Sequence, residues 1–152
     1  MKKIISTFLF FLTLISCSKT EFEIKKDNLL RFLDKDAIEN IDAVILIPIS
    51  GCGSCIKEMV SYSLKNLDNK KLKFIIVGLH KKEIYAVYND INDYKNKLTI
   101  DTKLILEGLK MVSTSPVVYL FEKGKIKEEI IINDQNASII IDRIELLLNT
   151  NN

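Results

Sequence analysis

Two cysteines, set between an unbroken apolar run and an amphipathic stretch, constrain this chain more than any other feature. Ala43 to Ile49 reads AVILIPI, the short continuous apolar pattern of a strand buried on both faces. Residues 53–67 switch to helical spacing, with Ile56, Met59, Val60, Ser63, Leu64 and Leu67 on one face. Between them stands Ser50-Gly51-Cys52-Gly53-Ser54-Cys55. The chain must therefore leave a buried strand, turn, and enter a helix whose first turn carries both sulfurs. A thiolate at a helix N-terminus meets free backbone N–H groups and the positive end of the helix dipole. Both favour the charged form and bring a thiol below its free pKa of about 8.5. Two intervening residues let the second sulfur approach to disulfide distance. Cys52 is expected as the outer, attacking sulfur, and Cys55, one turn in, as the sulfur that resolves the mixed disulfide.

Two other readings of the pair stay in view. A purely structural disulfide closes a very small loop and stabilises little. A structural zinc site needs four Cys or His ligands. The chain has three Cys and one His, and one of those Cys is claimed below for another purpose. The redox reading fits the strand–Cys-x-x-Cys–helix context best.

The rest of the chain alternates in type. Leu72 to Leu79 reads as a second buried strand, and Lys81 to Tyr94 as a helix with Ile84, Val87, Tyr88 and Ile91 at helical spacing. Thr102 to Lys110 is a short helix candidate. Val117 to Phe121 is a strand, Glu122-Lys123-Gly124-Lys125 a hairpin turn, and Ile126 to Ile132 the returning strand. Asn136 to Leu148 closes the chain as an amphipathic helix, with Ile139, Ile140, Ile144, Leu147 and Leu148 expected to face inward. The fold class is α/β, a central mixed β-sheet with helices on both faces.

In this order the motifs resemble those of thioredoxin-like proteins. The resemblance rests on Cys52-Gly53-Ser54-Cys55 and on Thr114-Ser115-Pro116-Val117-Val118-Tyr119-Leu120-Phe121-Glu122-Lys123-Gly124-Lys125, and spans roughly residues 42 to 148. It implies a thioredoxin-like fold. It also implies a cis bond at Ser115–Pro116 facing the cysteines, with Ser115 and Pro116 holding an extended substrate peptide. The string Cys52-Gly53-Ser54-Cys55-Ile56-Lys57-Glu58 is similar to membrane-tethered extracytoplasmic reductases of the TlpA/ResA type, in which a Glu at the position of Glu58 tunes the thiols. On helical geometry alone Glu58 points away from the apolar stripe, beside Lys65, where it is simply solvated. The sequence departs from the family at three places. Gly51 replaces an aromatic residue before the motif, Gly-Ser replaces a dipeptide that often contains Pro, and Leu46 stands where many thioredoxins bury an acid.

The N-terminus reads as an address. Met1-Lys2-Lys3 precedes the twelve-residue apolar run Ile4 to Ile15. That is short of the roughly 20 residues a membrane-spanning helix needs and fits a secretory signal. Leu14-Ile15-Ser16-Cys17 resembles a bacterial lipobox, which implies cleavage before Cys17 and lipid on its thiol. Residues 1–16 are then the signal peptide, 17–27 a lipid-anchored tether, and 28–152 the thioredoxin-like domain. An ordinary signal peptide with an incidental Cys is the alternative. The expected location is extracytoplasmic, on a membrane, where disulfides persist.

Lys and Arg number 22 against 20 Asp and Glu, a net charge of +2, which excludes a nucleic-acid binder relying on phosphate attraction. Hydrophobic residues at 47% and charged residues at 28% indicate one globular domain. The expected activity is thiol–disulfide exchange, in the direction of reducing protein disulfides. The cysteine pair itself is the redox centre, with no metal and no organic cofactor. The expected partners are a disulfide-containing protein substrate, a membrane electron donor and, through the lipid, the membrane; the chain is expected to act as a monomer. Two alternatives come from other classes. One is a non-catalytic peptide-binding lipoprotein. The other is a copper handler pairing the cysteines with His80, which the short Cys spacing and the retained Pro116 disfavour. Tyr85, Tyr88 and Tyr94 read as packing residues. Lys70, Lys71, Lys73, Lys81 and Lys82 read as a solvated rim.

Overall fold

The structure is a computed structural model that describes residues 19–33, 35–87 and 97–150. Among the described residues five strands form one sheet: β1 (Ala43–Pro48), β2 (Leu72–Val77), β3 (Thr99–Asp101), β4 (Val117–Glu122) and β5 (Lys125–Ile131), in the order β3-β2-β1-β4-β5. β1 pairs in parallel with β2, and β2 with β3; β4 is antiparallel to both β1 and β5. The helices are α1 (Glu21–Leu29), α2 (Gly53–Lys65), α3 (Lys81–Val87), α4 (Ile105–Gly108) and α5 (Ala137–Thr150), with a 3₁₀ turn at Lys35–Asn40. This is the α/β arrangement expected: a mixed sheet with helices on both faces.

The alternation of β-strand side chains divides the core in two. Ala43, Ile45 and Ile47 of β1 pack with Ile56, Met59 and Val60 of α2 and Ile140, Ile144 and Leu148 of α5. Val44 and Leu46 face the other way, toward Leu29, Ile38, Leu106 and Met111. β1 is central in the sheet and covered on both faces, so every one of its residues is buried. That is why its sequence is apolar without alternation. Between β4 and β5, Lys123 and Gly124 both take positive φ, +50° and +69°. This is the two-residue turn whose twist suits a hairpin.

Four expectations need correction. The charged segment read as a tether contains a helix. Thr20 and Glu23 form a reciprocal capping box at the start of α1. Its Lys25 binds Glu21 at 2.8 Å and also Glu129 on β5. Burial works against the Lys25 charge, yet the two carboxylates outweigh it and hold its pKa above the ordinary lysine value. Second, β3 was not anticipated, because three residues are too few to show a period. Third, Ile139 of α5 is 62% exposed. The buried stripe runs Ala137, Ile140, Ile144, Leu148, and Ile139 lies about 100° around the helix from Ile140.

Fourth, the described residues contain no cis peptide bond, so Ser115–Pro116 is trans. The cis bond was implied by the family resemblance; the local chemistry asks only for a residue without an N–H where the ladder begins. Either isomer meets that requirement, since the first paired residue of β4 is Val117, and trans is the lower-energy form by about 0.5–1 kcal/mol.

Candidate functional site

β1 delivers the chain to the C-terminal end of the central strands at Pro48, and the turn that follows is built around Gly51. Its φ is +130°, and a Cβ there would lie 2.0 Å from the carbonyl oxygen of Thr114. Only glycine fits this approach. The reward of the contact is a hydrogen bond. The backbone N–H of Cys52 donates to that same Thr114 oxygen at 2.8 Å. The loop 113–116 is thereby held against the cysteines. Ser115 is half-buried and Pro116 buried, with the Pro116 carbonyl accepting from Ile132 N at 2.8 Å. The structure thus brings the Ser115–Pro116 segment to the motif through the neighbouring Thr114.

Cys52 is the N-cap of α2 and Cys55 lies in its first turn; the two form a disulfide with a Cα–Cα distance of 5.6 Å. Cys52 is partly exposed, whereas Cys55 is fully buried. This is the outer and inner disposition expected of an attacking and a resolving sulfur. No side chain caps α2, and its first turn holds no acid, so its N–H groups and dipole are available to a charged sulfur.

One site residue had no place in the sequence reading. Asp134, in the loop between β5 and α5, places Oδ1 3.0 Å from Cys52 Sγ and accepts a hydrogen bond from the Ser54 hydroxyl. The two sulfurs and the carboxylate lie within 4.8 Å of one another. As a disulfide, the sulfurs are bonded to each other and offer no thiolates to a metal. A topological signal for Asp134 was present. Two antiparallel steps, β1 to β4 and β4 to β5, leave β5 running in the direction of β1. The segments that follow both strands, 49–52 and 132–134, therefore emerge at the same end of the sheet.

Glu58 is exposed and takes part in no hydrogen bond or ion pair among the described residues. His80 is also exposed and is not a member of the Cys52–Cys55–Asp134 group. Tyr85 packs against the core as expected; Tyr88 and Tyr94 lie outside the described residues, as does Cys17. A cleft of about 290 Å³ opens beside the motif, lined by Ile49, Ser50, Leu79, Leu104, Ser113 and Thr114 among others. No described helix is long and apolar enough to cross a membrane.

No protein-family model matches the chain, and no curated protein does. Solved structures do. An uncharacterized thioredoxin-like protein from Porphyromonas gingivalis is 16% identical with a TM-score of 0.44, over 70% of this chain and 75% of that one. A candidate thioredoxin from Neisseria meningitidis is 16% identical with a TM-score of 0.45, over 72% and 78%. A thioredoxin-like protein from Bacteroides caccae is 17% identical with a TM-score of 0.37, over 70% of this chain and 41% of that one. The fold assignment rests on the strand order and helix placement described above.

Proposed function

We propose that this protein is a lipid-anchored, extracytoplasmic thiol–disulfide oxidoreductase that reduces protein disulfides through Cys52 and Cys55. The observation that carries the reading is the asymmetry of the pair: a partly exposed sulfur at an uncapped helix N-terminus, backed by a buried one within bonding reach. Cys52 attacks a substrate disulfide, a mixed disulfide forms, and Cys55 displaces the reduced product. The loop 113–116, tied to Cys52 through Thr114, offers Ser115 and Pro116 as the surface beside which an extended substrate strand lies. A membrane electron donor returns the pair to the dithiol. Cys17 carries the lipid that keeps the two together, and the protein works as a monomer with no metal or organic cofactor.

The test is the equilibrium reduction potential of the full-length protein in detergent, titrated against a defined thiol buffer. A reversible two-electron couple near the thioredoxin value of about −270 mV supports a reductase. A value nearer about −120 mV reverses the direction. A pair that never equilibrates, with Cys52→Ser changing nothing, refutes the enzyme and favours a peptide-binding lipoprotein.

A further inference from the structure

The exchange chemistry requires a proton to leave Cys52 and another group to receive it, and the proposed scheme assigns that proton no carrier. Asp134 is in contact with the reacting atom. In the disulfide its carboxylate meets a sulfur that carries no proton, at 3.0 Å. On reduction the same placement becomes a thiol hydrogen bond, since a carboxylate accepts and a thiol donates. Ser54 fixes the orientation by donating its hydroxyl to the same oxygen.

The loop does not depend on the Asp134 side chain for its shape. Asn133 Oδ1 accepts from the backbone N–H groups of Gln135 at 2.9 Å and Asn136 at 3.1 Å. Asn136 Oδ1 accepts from Asn133 N at 2.8 Å, and its amide donates to the Ile131 carbonyl at 3.0 Å. These bonds pin the backbone on both sides of Asp134. The other charged groups on the first two turns of α2 are Lys57 and Glu58, both exposed and neither in a polar contact among the described residues.

We propose that Asp134 is the proton carrier of the exchange reaction: it accepts the Cys52 thiol proton during attack and returns it to the departing substrate sulfur. The inference rests on the oxidoreductase reading. In the first step a bond forms between Cys52 Sγ and one sulfur of the substrate disulfide. The substrate S–S bond breaks, and its electron pair goes to the second sulfur, which leaves as a thiol with the proton held by Asp134. In the second step Cys55 attacks Cys52 Sγ and the Cys52–Cys55 bond forms. The remaining substrate sulfur departs with the Cys55 proton, passed through the same carboxylate. One enzyme dithiol and one substrate disulfide become one enzyme disulfide and two substrate thiols, a transfer of two electrons and two protons.

The test compares the full-length protein with Asp134→Asn, which preserves shape and the Ser54 contact, and with Asp134→Glu. Each reduced protein is mixed with an alkyl disulfide, whose leaving sulfur needs a proton, and with an activated aryl disulfide, whose thiolate departs unprotonated. General acid–base catalysis typically contributes 10²–10⁴-fold. Asp134→Asn is expected to slow both reactions, the alkyl by about tenfold or more and the aryl by clearly less, because only the alkyl sulfur also needs the proton returned; Asp134→Glu should recover part of the alkyl rate, and an equal loss on both disulfides overturns the proton return. Asp134→Asn reacting as fast as wild type or faster on both disulfides overturns the proposal; that is the result expected if the carboxylate merely repels the thiolate. Should Asp134→Asn fail to fold, Ser54→Ala takes its place, since it loosens the carboxylate without changing charge. It must show the same selective alkyl loss, and wild-type rates on both disulfides overturn the proposal. A wild-type protein that reduces neither disulfide overturns the oxidoreductase reading and this inference with it. An active wild type with an unimpaired variant overturns this inference alone.

Discussion

Replacing Gly51 by Ala tests whether the turn before the motif is held together as described. The new Cβ would lie 2.0 Å from the Thr114 oxygen, where ordinary contact begins at 3.4 Å. The two segments must part by more than an ångström, and the 2.8 Å bond from Cys52 N to that oxygen cannot survive it. Losing that bond costs about 0.5–1.5 kcal/mol net. Holding alanine at a φ of +130° costs a further 1–3 kcal/mol or so. The expected total is about 2–4 kcal/mol, of which relaxation recovers a part. For a domain of this size each kcal/mol moves the melting midpoint by roughly 3–5 °C, so the oxidised protein should melt about 10 °C lower. Circular dichroism melts of the oxidised forms measure it. A Gly51→Ala protein within about 0.5 kcal/mol of wild type, the range of innocuous surface changes, would show that the 51–114 contact does not hold the site together.

Two further outcomes follow from side chains elsewhere. Glu58→Gln should leave the reduction potential within about 10 mV, since Glu58 is exposed and unpartnered; a shift of about 30 mV or more, worth ~1.4 kcal/mol, restores the thiol-tuning role that the family resemblance implies. Tyr62 and Tyr119 are pushed well above the ordinary phenol pKa, by burial first and then by the carboxylates of Glu145 and Glu129 respectively. A group whose pKa is raised on folding keeps its full stabilising contribution below the unfolded value, about 10 for tyrosine, and loses it as pH rises beyond. The contribution of these two tyrosines should therefore hold level to about pH 10 and fall above it. Of the five tyrosines, these two should gain their ultraviolet phenolate absorbance only with unfolding, and their ionisation in the intact protein would refute the assignment.

What the sequence disclosed depended on how local the cause was. β1 was legible because burial on both faces leaves no polar position in AVILIP. The hairpin was legible because Lys123-Gly124 must take positive φ. The outer and inner placement of the two cysteines followed from the strand-to-helix junction alone. α1 escaped notice because it buries a single residue, Leu29, and so has no apolar stripe; its signal was the Thr20…Glu23 capping box, in plain view. Asp134 escaped because its partners Cys52 and Ser54 are 82 and 80 residues away, and only the sheet order joins them. The proline isomer was carried over from a resemblance, and no local force in Ser115–Pro116 required it.

The two edges of the sheet bear on how the molecule behaves in a crowd. An exposed strand edge is a template on which another chain can add. At one edge β3 offers only three residues, too short to nucleate such growth. At the other, β5 carries Lys125, Lys127, Glu128 and Glu129, and α1 is fastened to it through Lys25. An incoming strand there would pair alongside four charged side chains. Among the described residues, lateral addition to the sheet is disfavoured by brevity on one side and by charge on the other.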